Sequence, residues 1–301
     1  MKLCRFFVPE EGPHLGAVVG EMVYDLTSLG DEVFSSFSAL LAFSRELEGG
    51  LVPFLEESLK GGSPAYAYQD LDQPPAPDIP HLLSPIDVQE VWGAGVTYLR
   101  SKEAREGESA EADFYGRVYE AVRPEIFFKT TPHRVVGPND YVCVRRDSTW
   151  TSPEPEFTLV LNTELALVGY TIGNDMTARD IEGENPLYLP QAKTYSGCCA
   201  LGPVITLAEA VSTPRNLPIE CAVFRGDQAV FQGSTSTSRI KRDFGELIAY
   251  LGRDNTFPHG VVLLTGTGIV PPDDFRLQDG DLVEIKVEGI GTLRNPVRQL
   301  S

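Results

Sequence analysis

Pro153-Glu154-Pro155-Glu156 sets two acids at alternate positions of an extended segment. Side chains alternate faces along a strand, so Glu154 and Glu156 point to the same side. Two like charges that close repel and need an offset. A divalent cation supplies one, and hard cations such as Mg²⁺ and Ca²⁺ take oxygen ligands. Residues 164–173 read as a strand that returns the chain to a third acid, Asp175, nineteen residues after Glu156. Three carboxylates from neighbouring strands can hold one ion and leave its other positions to water and substrate. The same spacing also suits two solvent-facing carboxylates and a turn or capping aspartate, so spacing alone leaves both readings open.

Other chemistries find no footing. The four histidines, His14, His81, His133 and His259, are scattered without HExxH spacing, which argues against a histidine-ligated zinc. GxSxG and the glycine-rich phosphate loops are missing, so neither a serine hydrolase nor a nucleotide-binding protein is expected. The net charge of −18, from 43 acidic and 25 basic residues, argues against nucleic acid and against anionic lipid as partners. It also disfavours an anionic substrate unless a metal or local lysines reverse the field. Cys4, Cys143, Cys198, Cys199 and Cys221 form no CxxC pair, so neither a zinc ribbon nor a disulfide framework is expected. The reading is a protein of the reducing cytoplasm with no signal peptide and no membrane helix. One lysine, Lys193, ends a proline-rich loop, residues 185–193; taken alone it is equally a surface charge.

The elements that must position these groups are mostly strands. Residues 3–8 and 15–24 read as short strands, with Gly20 inside the second. Residues 33–59 have helical periodicity split into two helices around Gly49-Gly50 and Pro53. The tract Gln73-Pro74-Pro75-Ala76-Pro77-Asp78-Ile79-Pro80 cannot form a regular element and marks a linker. The expected organisation is a small N-terminal domain, 1–85, and a larger one, 86–301. In the latter, residues 101–122 read as one or two helices and 238–251 as another. Strands are expected at 126–128, 141–144, 157–161, 164–172, 204–207, 219–224, 261–264 and 282–287. Strand-rich segments with few intervening helices predict an α+β, mainly β fold.

In this order the motifs PEPE, VGYTIGNDMTARD, NPLYLPQAK and GCCALGP resemble the fumarylacetoacetate hydrolase superfamily, from about residue 91 to the C-terminus. GVTYLRSKEAR, ADFYGRVYEAVRPEIFFK and IEGENPLYLPQAK are most similar to its 2-keto-3-deoxy-D-arabinonate dehydratase branch. The resemblance implies a β-roll-like mixed β fold with a small N-terminal domain. It implies Mg²⁺ (or Mn²⁺ or Ca²⁺) on Glu154, Glu156 and Asp175, and a homodimer or homotetramer. It further implies substrate contacts from Lys193 and Thr267, and an active-site acid at Glu125. Arg179, with Asp180, follows Asp175 closely enough to contact substrate or orient the ligands; a purely structural salt bridge is an equal reading.

One departure separates reactions within that superfamily. Hydrolytic members carry an NYxxHxxE-like stretch whose histidine activates water; here Ser101 stands at the histidine and Ala104 at the glutamate. Without that dyad the general base for C–C hydrolysis is missing. The expected reaction is dehydration of a 2-keto-3-deoxy sugar acid to 2,5-dioxopentanoate, with either Lys193 or Glu125 as the base and the other as the acid. The rivals are an acylpyruvase-type C–C hydrolase or decarboxylase, and a non-catalytic, metal-stabilised ligand-binding oligomer.

Overall fold

A computed structural model of the chain describes residues 1–101, 103 and 112–301, the side chains of 112–115 excepted. Strands dominate, as the α+β, mainly β reading expects. The N-terminal segment contributes β1 (Lys2–Val8), β2 (Gly12–Val19), β3 (Met22–Asp25), β4 (Tyr66–Ala67) and β5 (His81–Leu83). Then follow β6 (Glu90–Gly95), β7 (Glu125–Thr130), β8 (Val135–Val136), β9 (Val142–Val144), β10 (Thr151–Ser152), β11 (Pro155–Leu161) and β12 (Leu167–Asp175). The remainder are β13 (Thr177–Ala178), β14 (Cys199–Leu207), β15 (Pro218–Arg225), β16 (Gln228–Ser236), β17 (Val261–Leu264), β18 (Asp281–Val287) and β19 (Gly291–Gln299).

The main sheet runs β4-β3-β2-β1-β14-β12-β11-β17-β6-β7, with β5 on β1 and β8 on β14. A second sheet has the order β16-β15-β18-β19-β9. The two lie face to face: β14, β12 and β11 contact β19, β18 and β15 respectively. That stacking explains why every residue of β11 and β14 is buried. A strand covered on both faces reads as a continuous apolar run rather than an alternating one. Phe157 of β11 marks the centre, stacked on Tyr170 at 4.8 Å and on Phe244 at 5.7 Å between ring centroids. Cutting such a ring back to alanine typically costs about 3–5 kcal/mol.

Several local expectations change. Residues 15–24 are not one strand: Gly20, at φ +62°, turns the chain between β2 and β3. The stretch 185–193 is not merely a loop. Asn185 accepts the Leu187 N–H at 2.9 Å, a 3₁₀ turn spans Pro186–Tyr188, and an α-helix spans Leu189–Lys193. Its proline lies in the first turn, where the missing N–H has no intrahelical partner to lose. Helices at Phe37–Ser44, Leu51–Ser58, Ala112–Glu120 and Phe244–Leu251 fall inside the expected stretches. The tract 73–80 holds only an isolated bridge between Ala76 and Ile79. Among the described residues no helix is long and apolar enough to cross a membrane.

Candidate active site

Five neighbouring strands of the main sheet end at one place, and the site is built from those ends. Glu154 lies just before β11 and Glu156 at its start, and β12 finishes there with Asp175. The register pairs Pro155 with Asn174 and Glu156 with Gly173. Beyond it the Asp175 N–H donates to the Glu154 carbonyl at 3.0 Å, locking the two acids side by side. β17 lies on the other side of β11 and runs into Thr265-Gly266-Thr267-Gly268. β6 runs parallel to β17, and β7 pairs back on β6 with Glu125 opposite Gly95.

One carboxylate oxygen from each of Glu154, Glu156 and Asp175 lies within 4.8 Å of the others. All three residues are buried, at 4%, 3% and 0% exposure. Burial first, then the neighbouring Asp175 and Glu154, push the Glu156 carboxyl well above its ordinary range. A hard divalent cation fits such a set: it supplies the missing positive charge and takes oxygen donors. The backbone adds a fixed donor, because the Gly266 N–H points at Glu156 Oε2 at 2.5 Å. Only glycine is tolerated there. Its φ is +90°, and an added Cβ would come within 2.1 Å of Thr97 Oγ1.

Two lysines flank the cluster. Lys193 Nζ reaches Asp175 Oδ2 at 2.8 Å, Glu154 Oε2 at 2.9 Å and Thr177 Oγ1 at 2.8 Å. Lys129, fully buried on β7, pairs with Asp175 Oδ1 at 2.5 Å. It also donates to the Met176 carbonyl at 3.0 Å and to the Lys193 carbonyl. Burial works against the Lys129 ammonium, but Asp175 outweighs it and the net shift is upward, so the side chain stays charged. Arg179 Nη2 stands 3.6 Å from Glu154 Oε1.

These groups open onto a cavity of about 230 Å³. The acid trio, Lys193, Glu125 and Thr267 all line it. Glu125 is seated by its strand partner: a Cβ on Gly95 would come 2.1 Å from Glu125 Oε2, so glycine makes room for the carboxylate. Thr267, at 3% exposure, takes the Ile269 N–H on its hydroxyl at 3.2 Å. Arg179 is buried behind Glu154 rather than in the wall. Asp180 is turned away, with Ser148 Oγ at 2.7 Å and the Thr149 N–H at 2.6 Å on its carboxylate.

A family model for the C-terminal region of fumarylacetoacetate (FAA) hydrolase matches residues 90–298. The chain belongs to the fumarylacetoacetate hydrolase family. A probable 2-keto-3-deoxyxylonate dehydratase of Haloferax volcanii is 50% identical over 217 residues, 72% of this chain and 75% of that one. A 2-dehydro-3-deoxy-D-arabinonate dehydratase of Saccharolobus solfataricus is 47% identical over 222 residues, 72% of this chain and 74% of that one. Among solved structures, 2-keto-3-deoxy-D-arabinonate dehydratase complexed with magnesium and 2,5-dioxopentanoate superimposes with a TM-score of 0.84. It is 39% identical, and the match covers 100% of this chain and 99% of that one.

Within a fumarylacetoacetate hydrolase fold, Ser101 is informative because it lines the cavity and is 6% exposed. Ala104, the other half of the missing dyad, lies outside the described residues. Sequence reasoning did not single out Lys129, Thr177, Gly95 or Glu182. For Lys129 a signal existed: alternation along β7 puts Glu125, Phe127 and Lys129 on one face.

Proposed function

We propose that the chain is a Mg²⁺-dependent hydro-lyase that removes water from a 2-keto-3-deoxy sugar acid such as 2-keto-3-deoxy-D-arabinonate, giving 2,5-dioxopentanoate. The observation that carries this reading is the cavity wall, where Lys193 and Glu125 stand beside the carboxylate trio and Ser101 replaces a water-activating histidine. The similarity to the two dehydratases supports the same class. Glu154, Glu156 and Asp175 would hold the cation, which would supply Lewis-acid stabilisation of charge on the substrate. Lys193, as the neutral amine once a bound cation has taken over its carboxylate partners, would accept the C3 proton. Glu125 gives a proton to the departing C4 hydroxyl. Such acid–base groups typically contribute about 10²–10⁴-fold each. Thr267 contacts substrate from the cavity wall, and Arg179 steadies Glu154.

The same reading gives residues 1–85 as the small N-terminal unit and 86–301 as the catalytic one; all cavity-lining residues come from position 94 onward. We expect a homodimer or homotetramer. β16 supports it, being an outer strand of nine residues without charge or proline, the kind of edge that invites pairing. Five free, buried cysteines support residence in the cytoplasm.

The test is incubation with Mg²⁺ and 2-keto-3-deoxypentonates of both C4 configurations, read by mass spectrometry. Loss of one water without a C–C cleavage product is expected. Efficient cleavage of fumarylacetoacetate or of acylpyruvates would assign the site to hydrolysis instead. Failure to turn over any 2-keto acid with the metal bound would leave a ligand-binding protein.

A further inference from the structure

A second cavity, of about 440 Å³, shares no residue with the first and lies where the N-terminal segment meets both sheets. β1 and β2 bring Lys2 and Val18 to it, β14 brings Val204, and β19 brings Thr292 and Arg294. Tyr68 and Asp72, from the stretch after β4, close it.

Its polar groups fall into two sets. Lys2 is half-buried and donates to the Ile290 carbonyl at 2.8 Å. Burial lowers its pKa, and among the described residues no carboxylate is near enough to offset that. In a chain of net charge −18, a lysine without an acid beside it is a place for an anion to settle. The second set is a group of hydroxyl partners. Asn139 donates to Asp72 Oδ1 at 2.7 Å, and Arg294 Nη1 stands 3.9 Å from Asp72 Oδ2. Asp72 is thereby offset, and offers lone pairs rather than a charge in need of a cation. Burial, then Asp72, hold the Tyr68 hydroxyl protonated, so it both donates and accepts. Thr292 adds a second hydroxyl, while Val18, Val204 and Ile290 supply an apolar wall for C–H groups.

We propose that this cavity is a second ligand site, for a small hydroxylated carboxylate of the aldonate type, with the carboxylate on Lys2 and the hydroxyls on Tyr68, Asp72 and Thr292. One cation selects one carboxylate, and the ring of hydroxyl partners selects a polyol chain over an alkyl one. A ligand seated there touches β1 and β19 at once and ties the N-terminal segment to the second sheet. The assignment stands whether or not the first cavity carries out dehydration.

The probe is D-gluconate, titrated by calorimetry into the Mg²⁺-loaded protein, with glucitol and hexanoate as controls. Gluconate should bind and raise Tm as its concentration rises. Glucitol, which lacks the carboxylate, and hexanoate, which lacks the hydroxyls, should each bind about tenfold more weakly or worse. Lys2→Met should weaken gluconate binding about tenfold or more, the order expected for a lost hydrogen bond between charged groups, and Lys2→Arg should restore most of it. Tyr68→Phe and Thr292→Val should each weaken it about threefold or more. Gluconate also chelates cations, so the deciding comparison is with Glu156→Gln, which should lose Mg²⁺ yet keep gluconate binding. Wild type that does not bind gluconate, or binds it no better than Lys2→Met does, overturns the assignment. Binding lost in Glu156→Gln but kept in Lys2→Met gives the gluconate to the acid trio and overturns it too. If Lys2→Met does not fold, unchanged affinity in both Tyr68→Phe and Thr292→Val has the same force.

Discussion

Asp175 has a buried lysine on either side, and the two flanks are built differently. Lys129 rises from β7 with no exposure and divides its donors between Asp175 and two backbone carbonyls, those of Met176 and Lys193. Lys193 ends a short helix, lines the cavity, and reaches the side chains of Glu154, Asp175 and Thr177. Backbone carbonyls stay where the fold puts them, whereas side-chain partners can rearrange when substrate or cation arrives. A charge tied to the backbone therefore serves architecture. The proposed chemical role of Lys193 draws on the other arrangement, a charge held by side chains beside a cavity.

The sharpest break comes from removing what both flanks share. Asp175→Asn should lose Mg²⁺ and nearly all activity, and Glu154→Gln and Glu156→Gln should do the same. Unchanged metal stoichiometry in any two of the three would sink the metal assignment. EDTA should inactivate the wild type and added Mg²⁺ or Mn²⁺ restore it.

The two lysines should then part company. Lys129→Met removes one partner of a buried pair and should destabilise the fold by about 3–5 kcal/mol, seen as a lower urea midpoint. With Mg²⁺ bound to offset its two carboxylate partners, Lys193→Met should keep the fold and metal but lower kcat by about 10²-fold or more. It should also stop exchange of the C3 hydrogens with D₂O in a substrate analogue lacking the C4 hydroxyl. Glu125→Gln should slow loss of the hydroxyl more than that exchange. The opposite pattern would swap the roles of Lys193 and Glu125.

The smallest expected effect concerns pH. Burial and two neighbouring acids raise Glu156 in the folded chain above its ordinary 4.5. The unfolded chain gives up that proton first. Stability from this group is therefore complete below the unfolded value and is lost as pH rises through the folded one. A bound cation reverses the preference, so Mg²⁺ should raise Tm more at pH 8 than at pH 5.5. Equal shifts at both pH values would contradict this account of Glu156.

What the sequence disclosed follows the same division. Glu154, Glu156 and Asp175 were legible because strand alternation and a return strand are local patterns, and Lys193, Thr267 and Glu125 followed from motif resemblance. Lys129 was missed because the expected strand stopped at residue 128, which hid the alternation that puts Lys129 on the face of Glu125. β16 escaped notice because in QAVFQGSTS the apolar Val230 and Phe231 fall on opposite faces and no alternating pattern stands out. β6 was masked by two glycines that its neighbours require. The helix at Leu189–Lys193 was hidden by prolines that its first turn tolerates. The pairing of β1 with β14, Lys2 on Thr206 and Leu3 on Ile205, bridges residues some two hundred positions apart and leaves no local trace.

That pairing has a consequence for the life of the protein in a cell. A chain beginning at residue 86 keeps every cavity-lining residue. It also leaves β14 with a bare outer edge at Ile205 and Thr206, one strand away from the strand that carries Asp175. Bare edges recruit other chains. Such a shortened enzyme would succumb to aggregation and proteolytic clearance before any fault in its chemistry was felt. What the first strand contributes to catalysis is longevity.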